Sequence, residues 1–139
     1  MASDCLFCKI VAREIPAQIV YEDESTLAFL DINPVNPGHT LVIPKEHSTD
    51  IFDIDDKNWT AVMKTSRTVA HALERALKTD GVNIGMNNRE HAGQVVDHIH
   101  IHIIPRFKDD GVELMGHHAR REDEGESVAR KIRAELSKG

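Results

Sequence analysis

The sequence predicts an α+β fold in which a five-stranded antiparallel sheet carries helices. Three observations point to it. Two short apolar runs, residues 19–22 and 26–30, flank the polar turn Asp23-Glu24-Ser25 and read as a hairpin. Between residues 58 and 78, Trp59, Val62, Met63, Val69, Ala70, Leu73 and Leu77 recur at helical spacing and mark a buried stripe. Near residue 100, histidine and isoleucine alternate with the period of a strand.

The elements follow in order. Residues 5–13 make a short helix, apolar on one side through Leu6, Phe7, Ile10 and Val11. It stops before Ile15-Pro16, because the residue ahead of a proline avoids the helical region. After the hairpin, Asn33-Pro34-Val35-Asn36-Pro37-Gly38 is a loop, and residues 39–44 form the third strand. The long helix covers residues 58–78, with Asp53 or Asp55 as its cap and Gly81 as its stop. Residues 82–87 are the fourth strand and residues 95–105 the fifth. Residues 122–136, with Val128, Ile132 and Leu136 four apart, form a last helix. Strands joined by hairpins, with helices between and after them, place the helices on one face of the sheet. No repeat or linker divides the chain, so residues 1–139 read as one domain whose residues 110–139 are a variable tail and helix.

A chain of 139 residues suits a single core. With 40% hydrophobic and 29% charged residues it reads as a soluble globular protein. The net charge of -6 argues against a nucleic-acid-binding surface, which is normally basic. It leaves room for an anion in one donor-rich pocket. No run approaches the ~18 apolar residues of a membrane span. The N-terminus lacks the basic-then-apolar pattern of a secretory signal. Two cysteines, Cys5 and Cys8, are too few for a secreted disulfide scaffold of this length. The expected compartment is therefore the cytoplasm. His71, His91, His117 and His118 lie in polar stretches and are expected at the surface.

The chemistry concentrates in Asp97-His98-Ile99-His100-Ile101-His102-Ile103-Ile104. On a strand His98, His100 and His102 share one face, while Ile99, Ile101 and Ile103 share the other and face a core. One metal held by all three histidines is a poor fit. At ~3.3 Å per residue the outer α-carbons lie ~13 Å apart, far too stretched for ring nitrogens within ~2.1 Å of one ion. Nucleophilic catalysis fits better. A neutral imidazole attacks phosphorus, and a covalent intermediate splits one hard displacement into two easier ones. The ordinary histidine pKa of ~6.5 keeps the neutral form dominant at pH 7, and crowded imidazoles oppose protonation further. The flanking rings offer donors for phosphoryl oxygens.

The pattern His98-Ile-His100-Ile-His102-Ile-Ile resembles the motif of the histidine triad (HIT) superfamily. The likeness extends to Cys5-Leu6-Phe7-Cys8-Lys9-Ile10, Phe29-Leu30-Asp31-Ile32, Gly38-His39-Thr40-Leu41-Val42-Ile43-Pro44 and Ala92-Gly93-Gln94, in the family's order and spacing. It is most similar to the branch of histidine triad nucleotide-binding proteins, in its prokaryotic type. The resemblance implies the HIT-like fold, paired across a homodimer. It implies hydrolysis of purine nucleoside 5′-monophosphate derivatives, AMP or GMP, of the phosphoramidate or AMP-lysine type, through a nucleotidyl-histidine. The alternatives are a dinucleoside polyphosphate hydrolase and a nucleotide-binding regulatory module with little turnover. By position, His100 is the nucleophile, with His98, His102 and His39 as the other catalytic histidines. Asn87, Gln94, Val95 and His102 face the phosphate, Asp31 the ribose hydroxyls, and Phe7, Ile10, Phe29 and Ile32 the base. Val95 stands where many eukaryotic relatives have a serine, so a donor to the leaving group is missing there. Core packing is the rival role for the four apolar residues. Turn capping is the rival role for Asp31, and a strand-end turn for Asn87.

By itself Cys5-Leu6-Phe7-Cys8 reads as half a zinc site, a redox pair or two buried free thiols. The resemblance implies a structural Zn²⁺ completed by His47 and His98. No catalytic metal is required for the phosphorus chemistry.

Overall fold

The computed structural model describes residues 4–119 and 124–139. Its elements run α1 (Leu6–Val11), β1 (Ile19–Glu22), β2 (Thr26–Leu30), β3 (Thr40–Pro44), α2 (Asp56–Leu77), β4 (Gly81–Gly85), β5 (Ile101–Arg106) and α3 (Glu124–Leu136). A single 3-10 turn, Glu90–Ala92, interrupts the β4–β5 connection. The five strands form one antiparallel sheet in the order β1-β2-β3-β5-β4. The expected sheet is therefore present. Of the last expected helix, residues 122 and 123 lie outside the described residues. No helix among the described residues is long and apolar enough to cross a membrane.

The helices do not share one face of the sheet, as the hairpin pattern suggested. On one side Phe7 and Ile10 of α1 pack against Leu27, Phe29, Leu41 and Ile43. On the other, Val62 and Val69 of α2 pack against Ala28, Val42, Ile101 and Ile103. Strand alternation explains this, because β2 is buried from Thr26 to Phe29 and β3 throughout, and each face needs its own cover. Of the expected α2 stripe, Leu77 stays 39% exposed while Trp59, Met63, Ala70 and Leu73 pack partly buried.

Asp55 caps α2, its carboxylate accepting from Asn58 N–H at 2.8 Å. Asp53 instead accepts from the amides of Thr49 and Asp50. The helix ends on Lys78 in the left-handed conformation rather than on Gly81, which opens β4. Gly38 has φ +98°, and a β-carbon there would lie 2.5 Å from Leu77 Cδ1 and 3.3 Å from Leu73 Cδ2 and Pro105 Cγ. Gly38→Ala therefore combines a disfavoured φ with overpacking, and is expected to cost about 2–4 kcal/mol. A lowered midpoint in urea unfolding checks this.

Candidate active site

The triad segment begins in a bend at residues 96–98, and β5 starts only at Ile101. Its pairing with β3 stops there, although β3 itself continues to Pro44. Register with β3 ends at Val42↔Ile101, and Pro44 has no N–H to offer. Upstream, Ile99 N–H donates to the carbonyl of Ser48 at 2.8 Å, so residues 98–100 lie beside the loop after β3. The alternation survives the loss of the strand. Ile101 and Ile103 face α2. The rings of His98 and His100 both meet Phe7 edge-on, at 6.0 and 5.1 Å, and His102 follows 5.0 Å from His100.

Backbone carbonyls fix two tautomers, since a carbonyl only accepts. His100 Nδ1 lies 2.8 Å from the carbonyl of His98, so Nδ1 carries the proton and the neutral ring has a bare lone pair on Nε2. No fully buried side-chain nitrogen or oxygen among the described residues lacks a partner, so the unpaired Nε2 of His100 reaches the open side of the site. His98 is the mirror case. Its Nε2 donates to the carbonyl of Pro44 at 2.8 Å, which leaves Nδ1 bare. Burial lowers the pKa of His100 below the ordinary histidine value, against a weaker upward pull from the His98 carbonyl and Asp31. Burial and the neighbouring His100 and His39 push His102 down to about 4. The site thus holds neutral imidazoles at pH 7.

The bare Nδ1 of His98 points into Cys5, Cys8 and His47. Cys5 Sγ lies 3.3 Å and Cys8 Sγ 3.5 Å from it, and Cys8 Sγ lies 3.3 Å from His47 Nδ1. All four ligand atoms fall within 4.8 Å of one another. Tetrahedral zinc with ordinary Zn–S and Zn–N bonds needs S···N edges of ~3.6 Å, so these residues could hold a metal with little adjustment. Cys5 sits at the N-cap of α1 and accepts from Cys8 N–H at 3.3 Å, which brings both sulfurs to one end of the helix. Burial and the adjacent Cys5 raise the Cys8 thiol to about 11. A bound dication reverses that sign, because a coordinating thiol is deprotonated outright.

The other expected residues divide into groups. His39, 3% exposed, puts Nε2 at 2.9 Å from His102 Nδ1. Asp31 caps its turn through Oδ1, which accepts from Asn33 N–H at 2.8 Å, while Oδ2 stands 3.5 Å from His39 Nε2. His39, His102 and Asn87 line a cleft of about 450 Å³ with Val35, Gly85 and Met115. Gln94 is buried and braced. Its amide donates to the carbonyls of Thr49 (2.7 Å) and Val96 (3.1 Å), and its oxygen accepts from Arg89 N–H. Both amide hydrogens expected on the phosphate are thus committed to the loop that leads into the triad. Val95, 88% exposed, lines a different cleft with Leu6, His47 and Thr49. Phe7, Ile10 and Phe29 are buried in the core under the site, whereas Ile32 is 90% exposed. His71, His91, His117 and His118 are exposed, as expected.

Sequence reading missed the backbone participants, namely the carbonyls of His98, Pro44 and Thr49 and the N–H of Val35. Backbone atoms leave no trace in residue identity. Only the two prolines of the Asn33–Gly38 loop hinted at a rigid template there.

With this geometry in view, the chain belongs to the HIT domain family, whose profile matches residues 12–109. The adenosine 5′-monophosphoramidase HNT1 of Saccharomyces cerevisiae is 40% identical, over 86% of this chain and 73% of its own. A crystal structure from Streptococcus mutans superposes with TM-score 0.89 at 43% identity, covering 96% of this chain and 85% of that one. A zinc-bound histidine triad family protein from Mycobacterium smegmatis gives TM-score 0.78 at 37% identity, covering 99% and 96%.

Proposed function

We propose that this chain hydrolyses purine nucleoside 5′-monophosphate derivatives, with AMP or GMP joined through phosphorus to an amine, and that His100 is the nucleophile. The observation that carries the reading is the hydrogen bond from His100 Nδ1 to the His98 carbonyl, which leaves Nε2 as an accessible lone pair. Nε2 attacks the α-phosphorus, the N–P bond forms, and the bond to the amine breaks as the amine takes a proton. Water then attacks the same phosphorus, the N–P bond breaks, and the proton that water sheds balances the first. His102 and Asn87 face the phosphate from the cleft they share. Gln94 acts beside them by shaping the loop. Asp31 keeps lone pairs for the ribose hydroxyls besides the one given to its turn. The buried Phe7, Ile10 and Phe29 floor the base site, with Ile32 at its rim. Val95 offers the leaving group no donor. The activity named for the yeast relative supports the phosphoramidate reading.

The test is intact-protein mass spectrometry after brief acid quench, with an AMP–amine phosphoramidate beside diadenosine tetraphosphate. An AMP adduct mapped to His100, with rapid amine release, is expected. An adduct from the dinucleotide alone would make the chain a polyphosphate hydrolase. Binding without adduct or turnover would make it a regulatory module.

Two further expectations follow. Because burial lowers the pKa of His100, its reactive neutral form persists below pH 6.5. The acid limb of a kcat/KM profile should therefore lie below ~6.5, since rate is lost only as pH falls through the lowered value. An acid limb above that value would contradict the assignment. The second concerns assembly. β4 is an edge strand with Ile84 52% exposed and its outer N–H and C=O groups unpaired by any strand. The chain is expected to form a homodimer through this edge, with twice the chain mass in sedimentation equilibrium.

A further inference from the structure

We infer that Arg89 is a positioning residue: it clasps the loop that carries Asn87 and Gln94 to residues 49–52, and so keeps the Asn87 amide aimed at the phosphate. The inference rests on the reading of His100 as nucleophile and of Asn87 as a phosphate contact. The anomaly behind it is a backbone angle. Arg89 has φ 75° and ψ 162°. Lys78, at φ 55° and ψ 49°, sits in the left-handed well that a side chain can enter. Arg89 lies outside that well, in a region that is essentially glycine's own and persists for other residues only where the surroundings over-determine it. Here they do so from both sides of the residue. Arg89 N–H donates to Gln94 Oε1 at 2.6 Å, and its carbonyl accepts from the amides of Ala92 and Gln94, each at 3.1 Å. An amide N–H only donates, so the first bond also fixes which end of the Gln94 side chain is the oxygen, and turns its NH₂ towards the carbonyls of Thr49 and Val96. Rotation of Arg89 into an ordinary well would swing its N–H and carbonyl off Gln94.

The side chain supplies the hold. The Arg89 guanidinium lies over the Phe52 ring, 4.2 Å from its centroid, and Nε stands 3.5 Å from Asp50 Oδ2. Asp50 is buried, and its Oδ1 accepts from Phe52 N–H at 2.9 Å, so carboxylate and ring present one seat to the cation. Asn88 adds a tie beside it, its Oδ1 accepting from Ile51 N–H at 2.8 Å. Residues 88, 89 and 94 thus cross to residues 49–52, and Asn87 leaves this seam for the cleft it shares with His102. Its Nδ2 approaches the Gly93 carbonyl at 3.5 Å, so the amide follows the turn that Arg89 closes. Phe52 is 68% exposed and the Arg89 side chain 67%, so core packing accounts for neither. A strained arginine and an exposed phenylalanine are each unfavourable alone, and as a pair they hold the loop shut.

The test compares Arg89→Ala with Arg89→Gly in the full chain. Alanine keeps the β-carbon, and with it the disfavoured angle, but loses the clasp. Glycine loses the clasp and the strain together. On an AMP phosphoramidate the alanine variant should lose about tenfold in kcat while KM moves less than about threefold, because the bound phosphate is held off line. The glycine variant should stay within about threefold of wild type in both. Hydrogen exchange of the unliganded protein should follow the same order, with the amides of Ala92 and Gln94 exchanging about tenfold faster in the alanine variant only. Phe52→Leu should slow the wild-type chain about threefold and leave Arg89→Gly unaltered, since its effect passes through the guanidinium. An arginine that merely covers the surface predicts the opposite order, with glycine losing more than alanine because it loosens the chain. That order, equal losses in both variants, or wild-type kcat and exchange in the alanine variant overturns the inference. The two readings fail separately. An AMP adduct at His100 with a loop indifferent to Arg89 sinks only this inference, and the expected exchange order without any adduct sinks only the nucleophile.

Discussion

His100→Ala is expected to abolish turnover of an AMP phosphoramidate, by about 10⁴-fold or more, while nucleotide affinity changes less than about threefold. The asymmetry follows from what the side chain touches. Its Nδ1 is spent on the His98 carbonyl and its ring on the edge of Phe7, and only Nε2 faces the site. Alanine removes the one atom able to form the N–P bond. It leaves Asp31, Asn87, His102 and the apolar floor to hold the nucleotide. The ring is 5% exposed, so the variant also loses packing against Phe7, and a fall of about 1–3 kcal/mol in stability is expected. Single-turnover kinetics and calorimetric titration with AMP read the two effects separately. Unchanged turnover would show that another group attacks phosphorus. Loss of binding in a variant that still folds would show that His100 recognises substrate rather than reacting with it.

The legible part of the fold was the part written in side-chain period. The hairpin, β3 and α2 lie within a residue or two of where alternation and helical spacing put them. The misreadings came where backbone partners decide. Residues 95–100 carry a strand-like pattern in sequence, but they bend at 96–98 and the ladder to β3 stops at Val42↔Ile101, and periodicity cannot report a missing neighbour. Likewise a glycine looked like the natural stop for α2, yet Lys78 takes the left-handed turn and returns its N–H to Glu74. At the site, the alternation of three histidines placed their shared face. Their distinct characters depend on which carbonyl or amide each ring meets, and no residue pattern encodes that. Gln94 shows the same limit. Its type suits a phosphate donor, and only the carbonyls of Thr49 and Val96 reveal it as a brace.

Removing a metal from the Cys5, Cys8, His47, His98 cluster should cost stability and catalysis together, for a reason visible in one residue. His98 offers its ring Nδ1 to the cluster and its main-chain carbonyl to His100 Nδ1. A metal that pins the ring therefore also pins the carbonyl that sets the nucleophile's tautomer. Structural zinc in small domains is worth ~10–16 kcal/mol of apparent binding energy, and whatever binds the folded state alone raises its stability. Here the cluster joins α1 to residues 90 positions away, so the gain falls on the docking of Phe7 and Ile10 against the sheet. We expect one zinc per chain by elemental analysis. Chelation or Cys8→Ala should lower Tm by about 10 °C or more. The phosphoramidate rate should fall with it, although no zinc touches phosphorus. Re-addition of zinc to the chelated wild-type protein should restore both. A purified chain with no zinc, and a Tm indifferent to chelator, would leave Cys5 and Cys8 as two half-buried thiols. The His98 carbonyl would then be held by the ring's contact with Pro44 and by the Ile99 N–H bond to Ser48.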